Sequence, residues 1–181
     1  MANVVLKTIL AGEGGVGKTS LVRSFMKHKF TGDYKITIGV DVTSRSMQVN
    51  KDKVTFSVND IAGQARFEAI KDVFFRGAHL SLLVFDLTRK DTLTSLRKQW
   101  VEPMIEASQN EIHSIIVGNK ADLDDLRVIE PEEGLKLLEL MRKAYPRMNI
   151  VNYIETSALT GDHVADAFSK LGTLIFDQMK K

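Results

Sequence analysis

The chain has 181 residues, a length typical of one folded domain, and 44% of them are hydrophobic while 27% are charged. This composition excludes a disordered or fibrous protein, and a formal net charge of +2 is too small to indicate nucleic-acid binding. The chain contains no cysteine, which excludes disulfides, thiolate metal sites and a thiol nucleophile. The expectation is one globular domain over residues 1–181 that does not bind nucleic acid.

The first half of the chain predicts a strand, a helix and a hairpin, in that order. Residues 4–11 form a short apolar run that ends at a glycine, which is typical of a buried parallel strand, and residues 21–26 have helical spacing. Residues 40–49 and 54–58 predict the hairpin, with its turn at residues 50–52. Apolar and polar residues alternate in its second arm, so we expect one buried face and one exposed face.

The second half of the chain predicts strands that alternate with helices. Residues 80–85 and 112–117 are again short apolar runs, and the segments with helical spacing cover residues 92–107 and 135–144. Pro131, followed by two glutamates, is suited to the start of the latter helix. Alternating strands and helices indicate an α/β fold whose ligand site lies at the carboxyl ends of the strands.

The last predicted helix follows Asp162, which is a suitable N-cap. An apolar stripe with spacings of four, three and four marks its buried face and is explained by core packing alone. The stripe consists of Val164, Phe168, Leu171 and Ile175. No repeat, low-complexity segment or linker separates a second domain, so the whole chain is predicted to be one α/β unit.

A glycine-rich phosphate-binding motif lies between the first predicted strand and helix. Residues 12–19 read Gly-Glu-Gly-Gly-Val-Gly-Lys-Thr and match GxxxxGK[ST] in the required context. In this motif backbone N–H groups surround the β-phosphate, the lysine reaches the outer phosphates, and the last hydroxyl binds Mg²⁺. Ser20 then begins the helix beneath the α-phosphate. The predicted phosphate-binding residues are Glu13, Gly14, Gly15, Val16, Gly17, Lys18, Thr19 and Ser20.

Two later segments predict where the base is bound. Residues 119–122 (Asn-Lys-Ala-Asp) and 155–159 (Glu-Thr-Ser-Ala-Leu) each close a predicted strand, at the edge where a base should lie. The Asp122 carboxylate can accept hydrogen bonds from the ring N–H and the exocyclic amine of guanine, whereas adenine offers neither donor in that arrangement. We therefore expect GTP and GDP to be the bound nucleotides.

Together with residues 60–64 (Asp-Ile-Ala-Gly-Gln), these motifs resemble those of the Ras-superfamily small GTPases. The resemblance covers nearly the whole chain. It implies a single P-loop NTPase domain of the α/β class, with a mostly parallel six-stranded sheet, one antiparallel edge strand and helices on both faces. Each residue alone is more often a turn or core residue, so the joint order of the motifs carries the inference.

The resemblance also implies roles for residues around the base. Asn119 and Asp122 would hold the base, the stem of Lys120 would pack on its face, and the N–H of Ala158 would meet its carbonyl oxygen. The other residues placed around the base in this way are Phe30, Ser157 and Leu159.

Residues 31–39 resemble switch I, a loop that changes conformation with the nucleotide. Thr37 would give its hydroxyl to Mg²⁺ and its N–H to the γ-phosphate, and both contacts would be lost on hydrolysis. Tyr34 would cover the nucleotide.

Residues 60–64 resemble switch II. Asp60 would hold a water bound to Mg²⁺, the N–H of Gly63 would meet the γ-phosphate, and Gln64 would orient the attacking water. GTP would stabilise both loops only through contacts to its γ-phosphate. The predicted catalytic residues are Lys18, Thr37 and Gln64, and the predicted Mg²⁺ residues are Thr19, Thr37 and Asp60.

The expected function is a GTP/GDP molecular switch with slow, Mg²⁺-dependent hydrolysis, Rab-like in regulating trafficking or signalling. Residues 37–41, 63–67 and 74–78 are most similar to the Rab branch. Effectors, exchange factors and GTPase-activating proteins are the partners that the resemblance implies. The branch has an aromatic trio that shapes effector binding, and only the third of the matching residues here is aromatic: Val42, Asn59 and Phe74.

Other departures concern regulators and membrane attachment. Ala65 replaces the acidic residue that normally follows the glutamine. Residues 178–181 contain no cysteine for prenylation, so the expectation is a cytoplasmic protein, or a membrane-associated one if a lipidated tail is missing from this chain. The source is left open between a divergent eukaryotic branch and a prokaryote with eukaryote-like GTPases.

Two alternative functions come from other classes. An ATP-dependent enzyme such as a partitioning ATPase is suggested by the paired Gly14 and Gly15, but that type has lysine where Glu13 stands. A nucleotide-locked interaction module that binds GTP without turnover is suggested by Ala65, and Gln64 and Thr37 count against it.

Overall fold

The strands form one sheet in this computed structural model, which describes residues 3–27, 39–49, 52–62, 68–108 and 110–179. Within these residues the strands are β1 (Asn3–Ala11), β2 (Val40–Val49), β3 (Asp52–Ile61), β4 (Leu80–Asp86), β5 (His113–Asn119) and β6 (Ile150–Thr156). Their order is β2-β3-β1-β4-β5-β6, and the described strands pair in parallel except for β2 with β3. The predicted six-stranded sheet with one antiparallel edge strand is confirmed.

The β2–β3 hairpin shows the predicted alternation. Val54, Phe56 and Val58 are fully buried, while the side chains between them face the more accessible side of the sheet. β3 extends beyond the predicted residue 58, because its pairing with β1 continues as far as Leu10 opposite Asp60. This register places Asp60 beside the start of the glycine-rich loop.

Helices cover both faces of the sheet, as predicted. They are α1 (Lys18–Phe25), α2 (Glu68–Phe75), α3 (Lys90–Leu96), α4 (Glu102–Ala107), α5 (Pro131–Ala144) and α6 (Val164–Met179). One apolar layer joins the sheet to α1 and α6 and includes Leu21, Phe25, Phe168 and Leu171. The other joins it to the remaining helices and includes Phe75, Leu96, Trp100, Met104, Leu138 and Met141.

The helical segment predicted over residues 92–107 is not a uniform α-helix. A π-helical turn over Arg97–Val101 separates α3 from α4, and the N–H of Glu102 donates to the carbonyl of Arg97, five residues back. Pro103 follows at the start of α4 and has no N–H to give to the carbonyl four residues before it. The widened turn accommodates this missing donor.

The starts of two helices can be compared with the starts predicted from the sequence. α5 begins at Pro131, as predicted, and the side chain of Glu133 accepts a hydrogen bond from the N–H of Glu130 (3.3 Å). The prediction that Asp162 caps the last helix is wrong. α6 begins at Val164 after His163, whose φ is 55°, and the Asp162 carboxylate instead accepts a hydrogen bond from the Thr160 hydroxyl (2.7 Å).

Among the residues that the structure describes, no helix has both the length and the apolar character needed to cross a bilayer.

Gly134 gives a test of packing between α5 and β6. A Cβ at this buried glycine would lie 2.2 Å from a ring carbon of Tyr153. Replacing a helical glycine by alanine ordinarily stabilises a helix by about 1 kcal/mol. We expect Gly134→Ala instead to lower the free energy of unfolding by on the order of 1–3 kcal/mol, because the ring must move. Urea denaturation measures this.

The control is Lys136→Ala on the exposed side of the same helix, which should change the stability by less than about 0.5 kcal/mol. A Gly134→Ala variant that is more stable than the wild type would contradict the packing described for Tyr153.

Candidate functional site

The residues of the candidate site converge at one edge of the sheet. The glycine-rich loop follows β1, and Asp60, Asp86, Asn119 and Thr156 lie at or next to the carboxyl ends of β3, β4, β5 and β6. Parallel strands bring these ends together, and ligands of open α/β sheets bind at this edge. The sheet therefore assembles motifs that are far apart in sequence.

Two glycines allow the loop to lie close to the neighbouring strands. Gly12 has a φ of 149°, and a Cβ there would lie 2.1 Å from the carbonyl oxygen of Val84. Gly17 has a φ of 98°, and a Cβ there would lie 2.2 Å from the Nδ2 of Asn119. No other residue type fits both the backbone conformation and the space. The loop then leads directly into α1, whose first residue is Lys18.

The Lys18 ammonium lies inside the loop. The side chain is 6% exposed, and its Nζ donates to the carbonyl oxygens of Gly12 (2.6 Å) and Glu13 (2.9 Å). The loop thus holds a positive charge next to the N-terminus of α1, where anions are favoured. This arrangement is suited to phosphate groups.

Thr19 and Asp60 form the part of the predicted Mg²⁺ site that the structure describes. The Thr19 hydroxyl donates to Oδ2 of Asp60 (2.5 Å), and Asp60 is 2% exposed. Burial raises the pKa of Asp60, while the hydrogen bond from Thr19 and the charge of Lys18 act in the opposite direction. Oδ1 of Asp60 is buried and has no hydrogen-bond partner among the described residues. An unpaired carboxylate oxygen beside a hydroxyl is the donor set that Mg²⁺ prefers, so these residues fit the ion.

Asn119 links three segments of the site. Its Nδ2 donates to the Val16 carbonyl (2.8 Å), and its Oδ1 accepts from the Thr156 hydroxyl (3.1 Å) and the Ala158 N–H (3.2 Å). The side chain is 1% exposed. The N–H of Ala158, predicted to meet guanine, therefore donates to Asn119 in this structure, and it would have to share or exchange that partner on binding a base.

Asp122 lies on the exposed side of the same region. Its Oδ1 accepts a hydrogen bond from the Ser157 hydroxyl (2.5 Å), which orients the carboxylate. Ala158 is nearly buried, whereas Leu159 is 53% exposed. The structure thus brings together the predicted base-binding residues Asn119, Asp122, Ser157 and Ala158.

Asp86 lies in the candidate site, although the sequence motifs did not indicate it. Its fully buried carboxylate pairs with Lys120 (Nζ to Oδ2, 2.7 Å) and with Arg89 (Nε to Oδ2, 3.1 Å). Arg89 also donates from Nη2 to the carbonyl of Gly14 (2.8 Å). Through Lys120 and Arg89, the Asp86 carboxylate therefore connects residues 119–122 with the glycine-rich loop. The one sequence feature that could have indicated Asp86 is its position as an aspartate at the end of an apolar strand.

The charge of Asp86 is stabilised despite its burial. Burial alone would raise the pKa of Asp86, but hydrogen bonds from Lys120 and from the hydroxyl and N–H of Thr88 outweigh it, so the pKa lies below its ordinary value. The carboxylate is therefore ionised at neutral pH.

The profile of the Ras family matches residues 7–177 of this chain. The chain belongs to the Ras family. It is therefore a small GTPase, an enzyme that hydrolyses GTP to GDP. The alternative of an ATP-dependent partitioning enzyme is wrong.

Relatives from plants and yeast support this assignment. The chain is 34% identical to the Ras-related protein RIC2 of Oryza sativa subsp. japonica, over 98% of this chain and 77% of the relative. It is 34% identical to the GTP-binding protein ypt3 of Schizosaccharomyces pombe, over 95% of this chain and 76% of the relative. It is 36% identical to the Ras-related protein RABA1i of Arabidopsis thaliana, over 98% of this chain and 77% of the relative. The predicted resemblance to the Rab branch is confirmed.

Another ion pair of this Ras-family chain lies next to the loop after β6. Arg127 donates to both carboxylate oxygens of Glu155, from Nη1 (3.0 Å) and Nη2 (2.5 Å), and the Tyr153 hydroxyl donates to Oε1 (2.7 Å). Burial alone would raise the pKa of Glu155, but the hydrogen bonds from Arg127 and Tyr153 lower it. Burial and the bond to Glu155 raise the pKa of Tyr153. The motif residue Glu155 thus supports the loop, and Arg127 was not predicted.

Several predicted residues lie outside the described part of the chain: Phe30, Tyr34, Thr37, Gly63, Gln64 and Ala65. Their roles stay predictions. Two of the residues at the positions of the Rab aromatic trio lie opposite each other in the β2–β3 register: Val42 is 56% exposed and Asn59 is 6% exposed. Asn59 donates to the Ser57 carbonyl (3.0 Å). The third, Phe74, is partly buried.

Removing the Asp86 charge should destabilise the protein in a pH-dependent way. At pH 7 we expect Asp86→Asn to lower the free energy of unfolding by on the order of 2 kcal/mol, because Lys120 and Arg89 would lose their anion. The folded pKa of Asp86 lies below the unfolded value of about 3.9, so its contribution is complete above that pH and is lost as the pH falls through the folded pKa.

Urea denaturation of both proteins at pH 7 and below pH 4 tests this. The difference between wild type and variant should shrink in acid. Asp72→Asn, which changes an exposed carboxylate, is the control and should show no such difference. If the difference in free energy of unfolding between wild type and Asp86→Asn stayed constant across this pH range, the Asp86 charge would not be the cause of the destabilisation.

Proposed function

We propose that this chain is a GTP/GDP molecular switch with slow, Mg²⁺-dependent hydrolysis, acting in trafficking or signalling in the manner of Rab proteins. The observation that carries the proposal is the position of Asn119, which is hydrogen-bonded both to the phosphate loop and to the loop of Ala158. The proposed phosphate site and the proposed base site would thereby form one unit. A relative named as a GTP-binding protein supports the same ligand.

Guanine recognition is proposed for Asp122. The hydrogen bond from Ser157 orients its carboxylate, and the exposed side of the loop is accessible to a base. The ring N–H and exocyclic amine of guanine would both donate to this carboxylate. Lys120, held by Asp86, would present its stem to the face of the base, and Ala158 would give its N–H to the base carbonyl. Phe30, Ser157 and Leu159 would complete this end of the site.

Phosphate binding is proposed for the loop of residues 13–20. Lys18 would exchange the carbonyl oxygens of Gly12 and Glu13 for phosphate oxygens, which carry more negative charge. Thr19 and Asp60, with Thr37, would hold Mg²⁺, which would neutralise charge on the β- and γ-phosphates. Gln64 would orient the attacking water.

Switching is proposed for the two segments that contain Thr37 and Gly63. Their N–H groups would contact the γ-phosphate of GTP, and GDP lacks this group. A ligand shifts a conformational equilibrium only through contacts that differ between its two states. The surfaces of the GTP and GDP forms would then differ near β2 and β3.

Effectors, exchange factors and GTPase-activating proteins are proposed as partners. The exposed Val42 and the buried Asn59 make the surface next to switch I different from one with an aromatic trio. We therefore propose that the surface offered to effectors differs in shape from that of typical Rab proteins. We also propose a cytoplasmic location, with membrane association if a lipidated tail follows the last helix.

The site should select guanine over adenine nucleotides. Calorimetric titration with GTP, GDP, ATP and ADP is expected to show selectivity on the order of 10⁴, because adenine would offer the Asp122 carboxylate neither of the two donors that guanine provides. Asp122→Asn should weaken guanine binding and favour xanthine nucleotides, whose carbonyl replaces the amine. Asp125→Asn, an exposed carboxylate three residues later, is the matched control and should bind GTP like the wild type. Equal affinity of the wild type for ATP and GTP would refute the proposal.

Hydrolysis by the isolated protein should be slow and should depend on Gln64. In Ras, an arginine supplied by an activating protein accelerates hydrolysis about 10⁵-fold. Here Arg89 reaches the phosphate loop only through the Gly14 carbonyl and is paired with Asp86. We expect single-turnover phosphate release on the order of 10⁻³ s⁻¹ or slower, and at least about tenfold slower for Gln64→Leu.

Gln48→Leu on the exposed side of β2 is the matched control for this substitution. Rapid turnover without a partner would contradict the expected need for an external arginine. Tight GTP binding with no phosphate release at all would favour the nucleotide-locked interaction module instead.

A further inference from the structure

We propose that Trp100 is a positioning residue for Lys18, whose ammonium it holds in the phosphate loop through a cation–π contact with its indole ring. Lys18 Nζ lies 5.5 Å from the centroid of this ring. The inference rests on the proposed GTP site and assigns a role in that site to a residue outside every nucleotide-binding motif of the sequence.

The π-helical turn is the feature that carries Trp100. The turn spans Arg97–Val101, and its hydrogen bond from Glu102 to Arg97 skips one residue more than an α-helical bond. An extra residue in a turn rotates the side chains that follow relative to those that precede it. Since Pro103 provides the physical reason for the wide turn, the sequence around Trp100 specifies the local geometry.

The surroundings favour a strong contact. Trp100 is fully buried and Lys18 is 6% exposed, so water screens the interaction little. Cation–π contacts are strongest when desolvated, and a centroid distance within about 6 Å is effective. The ring also replaces part of the solvation that the buried ammonium has lost.

The contact suits a lysine that must change its hydrogen-bond partners. Lys18 Nζ donates to the carbonyls of Gly12 and Glu13, and in the proposed function it donates to phosphates instead. The face of an aromatic ring attracts the charge as a whole and does not require a particular N–H direction. Trp100 can therefore keep the ammonium in place while its donors move from carbonyl to phosphate oxygens.

The chain provides its own spectroscopic probe, because Trp100 is its only tryptophan. All tryptophan emission therefore comes from beside Lys18. We expect the emission spectrum to change when Mg²⁺–GDP is added to nucleotide-free protein. We also expect a change in Lys18→Met without nucleotide, because that substitution removes the charge but keeps a side chain of similar length.

Substitutions of Trp100 separate positioning from packing. Trp100→Phe keeps an aromatic ring, whereas Trp100→Leu keeps only apolar volume. We expect the Kd for GTP to rise about tenfold in Trp100→Leu and to stay within about threefold of the wild type in Trp100→Phe. Met104→Ala is the control, because it opens a cavity in the same apolar layer one turn along. It should lower Tm without changing the Kd.

The outcomes are distinguishable. Equal loss of affinity in Trp100→Phe and Trp100→Leu, or the same loss in Met104→Ala, would reduce Trp100 to a packing residue and overturn the inference. An unchanged spectrum in Lys18→Met would also overturn it, even if the Trp100 variants fail to fold. A wild type that binds no guanine nucleotide would refute the proposed function itself, whereas normal GTP binding with unchanged emission would refute only the role of Trp100.

Discussion

The hydrogen bond from Asn119 to the Val16 carbonyl joins two segments that are 103 residues apart. It can form only because Gly17 has no side chain, since a Cβ there would overlap the Asn119 amide. The same amide group accepts from Ala158 and Thr156, so the loop after β6 is also positioned by it. The positions of the glycine-rich loop and of the loop after β6 relative to β5 depend on this close approach, which itself requires β1, β4 and β5 to be neighbours in the sheet.

Ion pairs of the buried Asp86 also hold this arrangement together. Asp86 is fully buried, and an isolated carboxylate there would be strongly unfavourable. Lys120 and Arg89 compensate this negative charge, and both also belong to the candidate site. Lys120 lies in the segment 119–122, and Arg89 donates a hydrogen bond to the glycine-rich loop. Arg127 and Glu155 form a partly exposed ion pair next to the loop after β6. The pairs of the buried Asp86 contribute geometry more than stability, because desolvation of this carboxylate offsets much of the attraction.

Two features of this chain lie outside its nucleotide-binding motifs. Pro103 interrupts the helical segment after β4 and is accompanied by the π-helical turn that brings Trp100 to Lys18. In the β2–β3 hairpin, Val42 is exposed while its register partner Asn59 is buried and hydrogen-bonded. The first feature bears on the proposed GTP site, and the second bears on the surface proposed for partners.

The sequence by itself determined the elements and motifs whose signals are local. The alternation of Val54, Phe56 and Val58 predicted the buried face of β3, Pro131 predicted the start of α5, and residues 12–19 predicted the phosphate loop, because these patterns depend on neighbours within a few positions. The motif order also indicated guanine and the Ras family.

Only the tertiary structure decided which side chains meet across the edge of the sheet. The contact of Arg89 with Gly14 spans 75 positions and that of Arg127 with Glu155 spans 28, and neither follows from periodicity. The π-helical turn was missed because helical spacing does not register one added residue, and Asp162 was misassigned because Thr160 competes for its carboxylate. Local patterns record contacts along one element, whereas these contacts depend on the order in which the strands assemble.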